Sequence, residues 1–100
     1  MNINDYVIKL VSENFDITRD DILGDSRKSE LVDARCVVAS VFFDLGKSLS
    51  EVGRILNRDH TTVMNMLKRI ENRKLLIALS KNFTKITKYK ISNGQFTSKQ

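Results

Sequence analysis

The chain has 100 residues, the length of one domain, with 41% apolar residues and a formal net charge of +5. No run approaches the ~18 apolar residues of a membrane span. The opening Met1-Asn2-Ile3-Asn4-Asp5 lacks the basic-then-apolar pattern of a secretory signal, so a cytoplasmic protein with no membrane partner is expected, and the single cysteine, Cys36, excludes an internal disulfide or a cysteine metal cluster.

Ile3, Tyr6, Val7, Leu10 and Val11 recur at helical spacing and predict a first helix over residues 3–14, with Phe15 and Ile17 closing the core beside it. Thr18 can cap a short second helix, Arg19 to Leu23, with Asp20 and Asp21 at the positive end of its dipole. Gly24 is expected as a left-handed stop. Asp25-Ser26-Arg27-Lys28-Ser29 is a polar connection. A third helix follows from about Glu30 to Leu45, dense in Leu31, Ala34, Val37, Val38, Val41, Phe42 and Leu45. Its β-branched residues lower its intrinsic preference, so burial must hold it as the central helix. Gly46 fits its end.

Ser48-Leu49-Ser50-Glu51 matches a capping box, and a fourth helix runs to about Leu56 with Leu49, Val52, Ile55 and Leu56 facing inward. Asn57 tolerates the left-handed conformation of a tight turn. Asp59 can cap a fifth helix, from His60 to about Asn72 or further. Leu75, Leu76, Ile77 and Leu79 predict another helical segment, or a continuation, packed on the core. Beyond Ser80, the alternation from Thr84 to Ile91 predicts a strand, with a hairpin to Gln95-Phe96-Thr97 across Ser92-Asn93-Gly94; a disordered tail is the other reading. The expected fold is all-α: a compact five- to six-helix domain over residues 1–79 containing a helix-turn-helix, then a basic tail over 80–100.

Charge is unevenly spread. Residues 1–33 hold four Lys/Arg and eight Asp/Glu, a net of −4. Residues 34–79 hold eight against four, a net of +4, and residues 80–100 hold five lysines and no acid. Positive charge therefore lies with the helix-turn-helix and the tail, where a polyanion would be met.

Arg58-Asp59-His60-Thr61-Thr62-Val63 carries the chemistry. Donors and acceptors crowd the first turn of the fifth helix, where free amides and the dipole attract phosphate. That geometry places the helix start at base edges in a duplex major groove. Threonine hydroxyls donate to phosphate or bases. A carboxylate is repelled by phosphate, so Asp59 belongs as a cap, as an acceptor for a cytosine amino group, or as both. Taken singly, Asp59 reads as a plain cap and His60 as a surface histidine. Lys68 and Arg69 lie two turns on, placed for flanking phosphates or for solvent. Arg35 is placed for phosphate or over the core helix. Cys36 and Met66 read as packing. There is no catalytic constellation, no metal site and no cofactor motif, so the chain is expected not to be an enzyme.

This stretch, preceded by Ser48-Leu49-Ser50-Glu51-Val52-Gly53-Arg54, resembles the signature of the C-terminal DNA-binding domain of the bacterial replication initiator DnaA, over residues ~3–79. The resemblance implies an all-helical domain that reads a short duplex element, the DnaA box. It implies base reading by Asp59, His60 and Thr61, with Arg58 and Thr62 on nearby phosphates or bases. Leu49 and Ser50 match the family's backbone-contacting positions, and Arg27, with Lys28 beside it, matches the loop that enters the minor groove. The loop departs from the family in carrying Asp25, Glu30 and Asp33, serine stands at position 50 where proline is common, and no phosphate-binding Gly-x-x-x-x-Gly-Lys loop is present.

The expected function is sequence-specific binding of double-stranded DNA at DnaA-box-like sites, in replication initiation or transcription control, without an ATPase of its own. The small size and missing motor favour a stand-alone regulator or replication factor, with a mobile element as its origin; a fragment of a larger protein is the other reading. Replication proteins are expected as further partners, and a monomer follows from the lack of a heptad seam. The competing reading is a protein-interaction module that binds or competes with a replication initiator.

Overall fold

The computed structural model describes residues 1–96 and contains six helices in the order α1 (Ile3–Phe15), α2 (Arg19–Leu23), α3 (Ser29–Asp44), α4 (Leu49–Leu56), α5 (His60–Ile70) and α6 (Lys74–Ser92), with no strand among the described residues. Local caps fix most of the boundaries. The Asn2 side chain accepts from the Asp5 amide at 2.8 Å to start α1. Thr18 and Asp21 exchange hydrogen bonds of 2.9 and 3.0 Å as a capping box on α2. Ser48 and Glu51 do the same for α4 at 2.9 and 3.1 Å. Each pair satisfies amides that no helical carbonyl can reach.

Helix α3 is the centre. It packs against each of the other five helices. Nine of its sixteen residues are buried, spread round the whole helix rather than along one stripe, as a helix enclosed on all sides requires. Burying Phe42 and the valines at 37, 38 and 41 contributes on the order of 2 kcal/mol per side chain, which outweighs their weaker helical preference.

Two stops differ from expectation. Gly24 ends α2 in an extended conformation (φ −84°, ψ −170°), not a left-handed one. The left-handed residue in this region is Asp16 (φ 55°), which ends α1 and sends its amide back to Glu13 and Ser12. Gly46 (φ 95°) ends α3 as expected. Helix α5 stops at Ile70, and a short break to Arg73 precedes α6.

The strand expected over Thr84 to Ile91 is helix. The boundary expected at 79/80 falls inside α6, which continues to Ser92 on the core. The alternation misleads because the inward positions of α6 include hydroxyl residues. Ser80, Thr84 and Thr87 are buried beside Leu76 and Phe83. Their hydroxyls donate to the Ser40 hydroxyl (2.8 Å), the Ser80 carbonyl (3.0 Å) and the Phe83 carbonyl (2.8 Å) respectively. A buried hydroxyl that returns a proton to its own helix costs little. After α6 the chain returns to α1, where the Phe96 ring meets Tyr6 edge-on at 5.2 Å. The other half of the expected hairpin includes Thr97, which lies outside the described residues.

Helices α3 and α6 run in the same direction. Arg73 pairs with Asp33 at 3.1 Å near their starts, and Ser80 meets Ser40 about two turns further on. Both contacts join residues 40 apart. Among the described residues, no helix is long and apolar enough to cross a membrane.

Candidate nucleic-acid interface

The turn between α4 and α5 is three residues, Asn57-Arg58-Asp59. Asn57 takes the left-handed conformation (φ 59°) predicted for it, and the Arg58 amide donates to the Gly53 carbonyl at 2.8 Å. Gly53 is buried where the turn crosses α4, and a Cβ there would collide with the Arg58 carbonyl. This close approach is the physical reason for glycine at that position. It sets α5 against α4 at the short separation of a helix-turn-helix.

Asp59 is the N-cap of α5 and accepts the Thr62 amide at 2.8 Å. That bond, the Thr62 side chain and the nearby His60 hold its carboxyl below the usual carboxylate range, so it is ionised at neutral pH. Asp59, His60 and Thr61 are all exposed, and Thr62 is half-buried. Val63 and Ile70 face inward, anchoring the helix. The exposed face continues through Met64, Asn65, Lys68 and Arg69. Sequence reasoning passed over Met64 and Asn65. Their signal is spacing: each lies four residues after His60 or Thr61 and so stacks above it on the same face. Asn65 presents an amide of the kind that can pair with an adenine edge.

Alongside α5 runs an open cleft of about 680 Å³, floored by Val32 and Cys36 and rimmed by Arg27, Thr62, Asn65, Met66 and Arg69. Arg27 and Lys28 are exposed in the loop before α3, and Arg27 borders the same cleft as Thr62, Asn65 and Arg69 of α5. Lys28 precedes α3 without capping it. Of the three acids expected in the loop, Glu30 and Asp33 belong to α3; Asp33 is taken up by Arg73, while Asp25 and Glu30 are exposed. Leu49 is half-buried against the core and Ser50 is exposed at the start of α4. Cys36 is packing: burial pushes its thiol up to about 11, so it is protonated and unreactive.

Two expected contact residues are occupied by the protein itself. Arg35 is 4% exposed, and its guanidinium donates to the carbonyls of Ile22 (2.7 Å), Ser26 (2.6 Å), Asp21 (2.8 Å) and Gly24 (3.0 Å). It is the buried tie of the α2–α3 loop and has no free donor edge for phosphate. Arg58 donates to the carbonyls of Leu23, Leu56 and Gly24. It fastens the turn to the same loop from a half-buried position on the cleft.

A two-helix unit with a tight turn, an exposed polar first turn on the second helix and a cationic loop beside it defines the class: a helix-turn-helix DNA-binding domain. Residues 4–70 match the family model described as bacterial dnaA protein helix-turn-helix, and the chain belongs to that family. It is 32% identical over 89 residues to the chromosomal replication initiator protein DnaA of Leptospira biflexa serovar Patoc, in the Ames strain and equally in the Paris strain. That alignment takes in 88% of this chain but 20% of the relative, so the chain spans about a fifth of the length of the initiators it matches. All of α6 lies beyond the residues matched by the family model.

Proposed function

We propose that this protein binds double-stranded DNA at DnaA-box-like sites, entering the major groove with the first turns of α5, and acts in replication initiation or transcription control by binding alone. The supporting observation is the exposed cluster Asp59-His60-Thr61 on a helix whose opposite face is locked by Val63 and Ile70. An ionised acceptor, an imidazole and a hydroxyl suit base edges, which present mixed donors and acceptors. Asn65 extends that readout by one turn. Arg27 and Lys28 serve an adjacent groove or phosphate, and Lys68 and Arg69 serve flanking phosphates, which fix register without carrying sequence. Thr62 and Ser50 stand at the edge of this surface and contact backbone, with Leu49 supporting Ser50 from below.

The test is a comparison of a duplex bearing a DnaA-box-type element with a scrambled duplex across a salt series. A preference of at least ~10³-fold at moderate salt is expected. Equal binding of both duplexes overturns the proposal and moves the protein-interaction reading ahead.

A further inference from the structure

Helix α6 carries lysines and no acid. Lys81, Lys85 and Lys88 fall on one line along it, at steps of four and three residues. All three are exposed, and none forms an ion pair or hydrogen bond among the described residues. Lys90 is different: it points elsewhere, over the Tyr6 ring and onto the Gln95 side chain. The three lysines border a shallow groove with Thr84 and with Asp44 at the end of α3. Asp44 subtracts one charge from that groove and leaves it net positive.

The position of this row matters as much as its sign. Helices α3 and α6 are parallel, so Lys81 to Lys88 lie at the C-terminal end of α3. The loop gripped by Arg35 and Arg58, and α5's cleft beside it, lie at the N-terminal half. From Arg35 to Asp44 is nine residues, about 13 Å along the helix. A duplex seated on α5 therefore lies toward one end of α3 and the lysine row toward the other.

The geometry points to a second nucleic-acid contact: the row binds the phosphodiester backbone of another duplex segment, so that one protein bridges two stretches of DNA. The inference rests on the proposed reading of duplex DNA by α5. Lysines 81 to 88 span about 10 Å along α6, which matches about three successive base-pair steps of one strand. Lysine acts on phosphate as a point charge and needs no fixed fork. An acidic protein is the less fitting occupant. Protein interfaces are poor in lysine and centre on aromatic and arginine anchors, and this row contains none.

The experiment tethers a duplex bearing the α5 site, seats the full chain on it, and then offers a labelled duplex without the site at ~50 mM salt. The unmodified protein is expected to capture the labelled duplex. Lys81→Gln/Lys85→Gln/Lys88→Gln should seat on the tethered duplex within about threefold of the unmodified protein, because glutamine keeps the helix. Its capture of the labelled duplex should fall at least tenfold, and the salt slope of capture should be shallower by about 2.7. Normal seating with no capture by the unmodified protein overturns the inference and leaves the α5 reading intact. So does equal capture by the triple variant, or capture of a polyglutamate peptide in place of the duplex. Failure to seat on the tethered duplex sinks the α5 reading. The row is then decided in solution by fluorescence anisotropy with the labelled duplex, where equal binding by the triple variant overturns it.

Discussion

Arg35 on α3 and Arg58 in the helix-turn-helix turn donate to the same acceptor, the main-chain carbonyl of Gly24. Burial, and then the positive Arg58 beside it, hold the Arg35 guanidinium below the usual arginine range, yet four carbonyls line up their negative ends around it. The arrangement joins the cationic loop, the central helix and the reading turn through one peptide group. Arginine suits this because its planar fork serves several acceptors at once, which an ammonium group cannot. Arg35→Lys is expected to cost about 3 kcal/mol in urea unfolding, since most of the carbonyls lose a charged donor inside the fold. A loss under about 1 kcal/mol would show that those carbonyls do not depend on the guanidinium.

Arg58 separates a structural role from a phosphate contact. Arg58→Ala should lower stability by about 1–2 kcal/mol while leaving the salt slope of duplex binding unchanged. The opposite pattern, a slope shallower by about 0.9 with stability intact, would return Arg58 to the DNA backbone.

At Asp59, capping and base reading can be pulled apart by chemistry. Asparagine keeps a carbonyl oxygen for the Thr62 amide and is an equally good cap, but it adds an NH₂ where DNA would meet a bare acceptor. Asp59→Asn should therefore melt within about 2 °C of the parent by circular dichroism and change which base is preferred at one position of the site. His60→Ala leaves the cap alone and should cost about tenfold to a hundredfold in discrimination against the scrambled duplex. If both substitutions leave the site preference untouched, the exposed first turn of α5 is not what reads the bases.

The sequence disclosed most where local chemistry decides the structure. The Thr18 cap, the Ser48/Glu51 capping box, the left-handed Asn57 and the cap at Asp59 each depend on residues within a few positions of one another. Long-range partners were not legible. Arg35 looks like any surface arginine until a loop up to 14 residues upstream folds its carbonyls onto it. The part of α6 beyond Ser80 reads as strand or tail because Ser80, Thr84 and Thr87 occupy core positions, while Leu75, an apolar residue, is 86% exposed. Periodicity counts side-chain polarity and cannot see that a hydroxyl has found a partner on its own helix or on the one beside it.

Gly53 offers a test of the turn that opposes two effects. Alanine is the better helix former by about 1 kcal/mol, so in an open helix Gly53→Ala would stabilise. Here the added Cβ meets the Arg58 backbone, which cannot move aside as a flexible side chain would. The collision is expected to win, giving a net loss of about 2 kcal/mol or more and weaker binding to the site-bearing duplex. Asn57→Gly, which also accepts a positive φ, should be nearly neutral. A stabilised Gly53→Ala protein would mean that the turn and α4 are further apart than this packing requires.

The same caps set the response to acid. Hydrogen bonds hold three carboxyls below their usual range: Asp21 through the Thr18 amide, Glu51 through the Ser48 amide, and Asp59 through the Thr62 amide. A carboxyl lowered in the folded state adds stability that is fully present above its unfolded value, near 4, and disappears as pH falls through the lower folded value. These three groups should leave the melting temperature flat from pH 7 to about 5 and make it drop steeply below about 4. Asp21→Asn/Glu51→Gln/Asp59→Asn retains side-chain oxygens at the caps but removes the titration. Its melting temperature should be lower at pH 7 and decline less between pH 4 and 2.5 than that of the parent. An equally steep decline in both proteins would place the acid sensitivity outside the three caps.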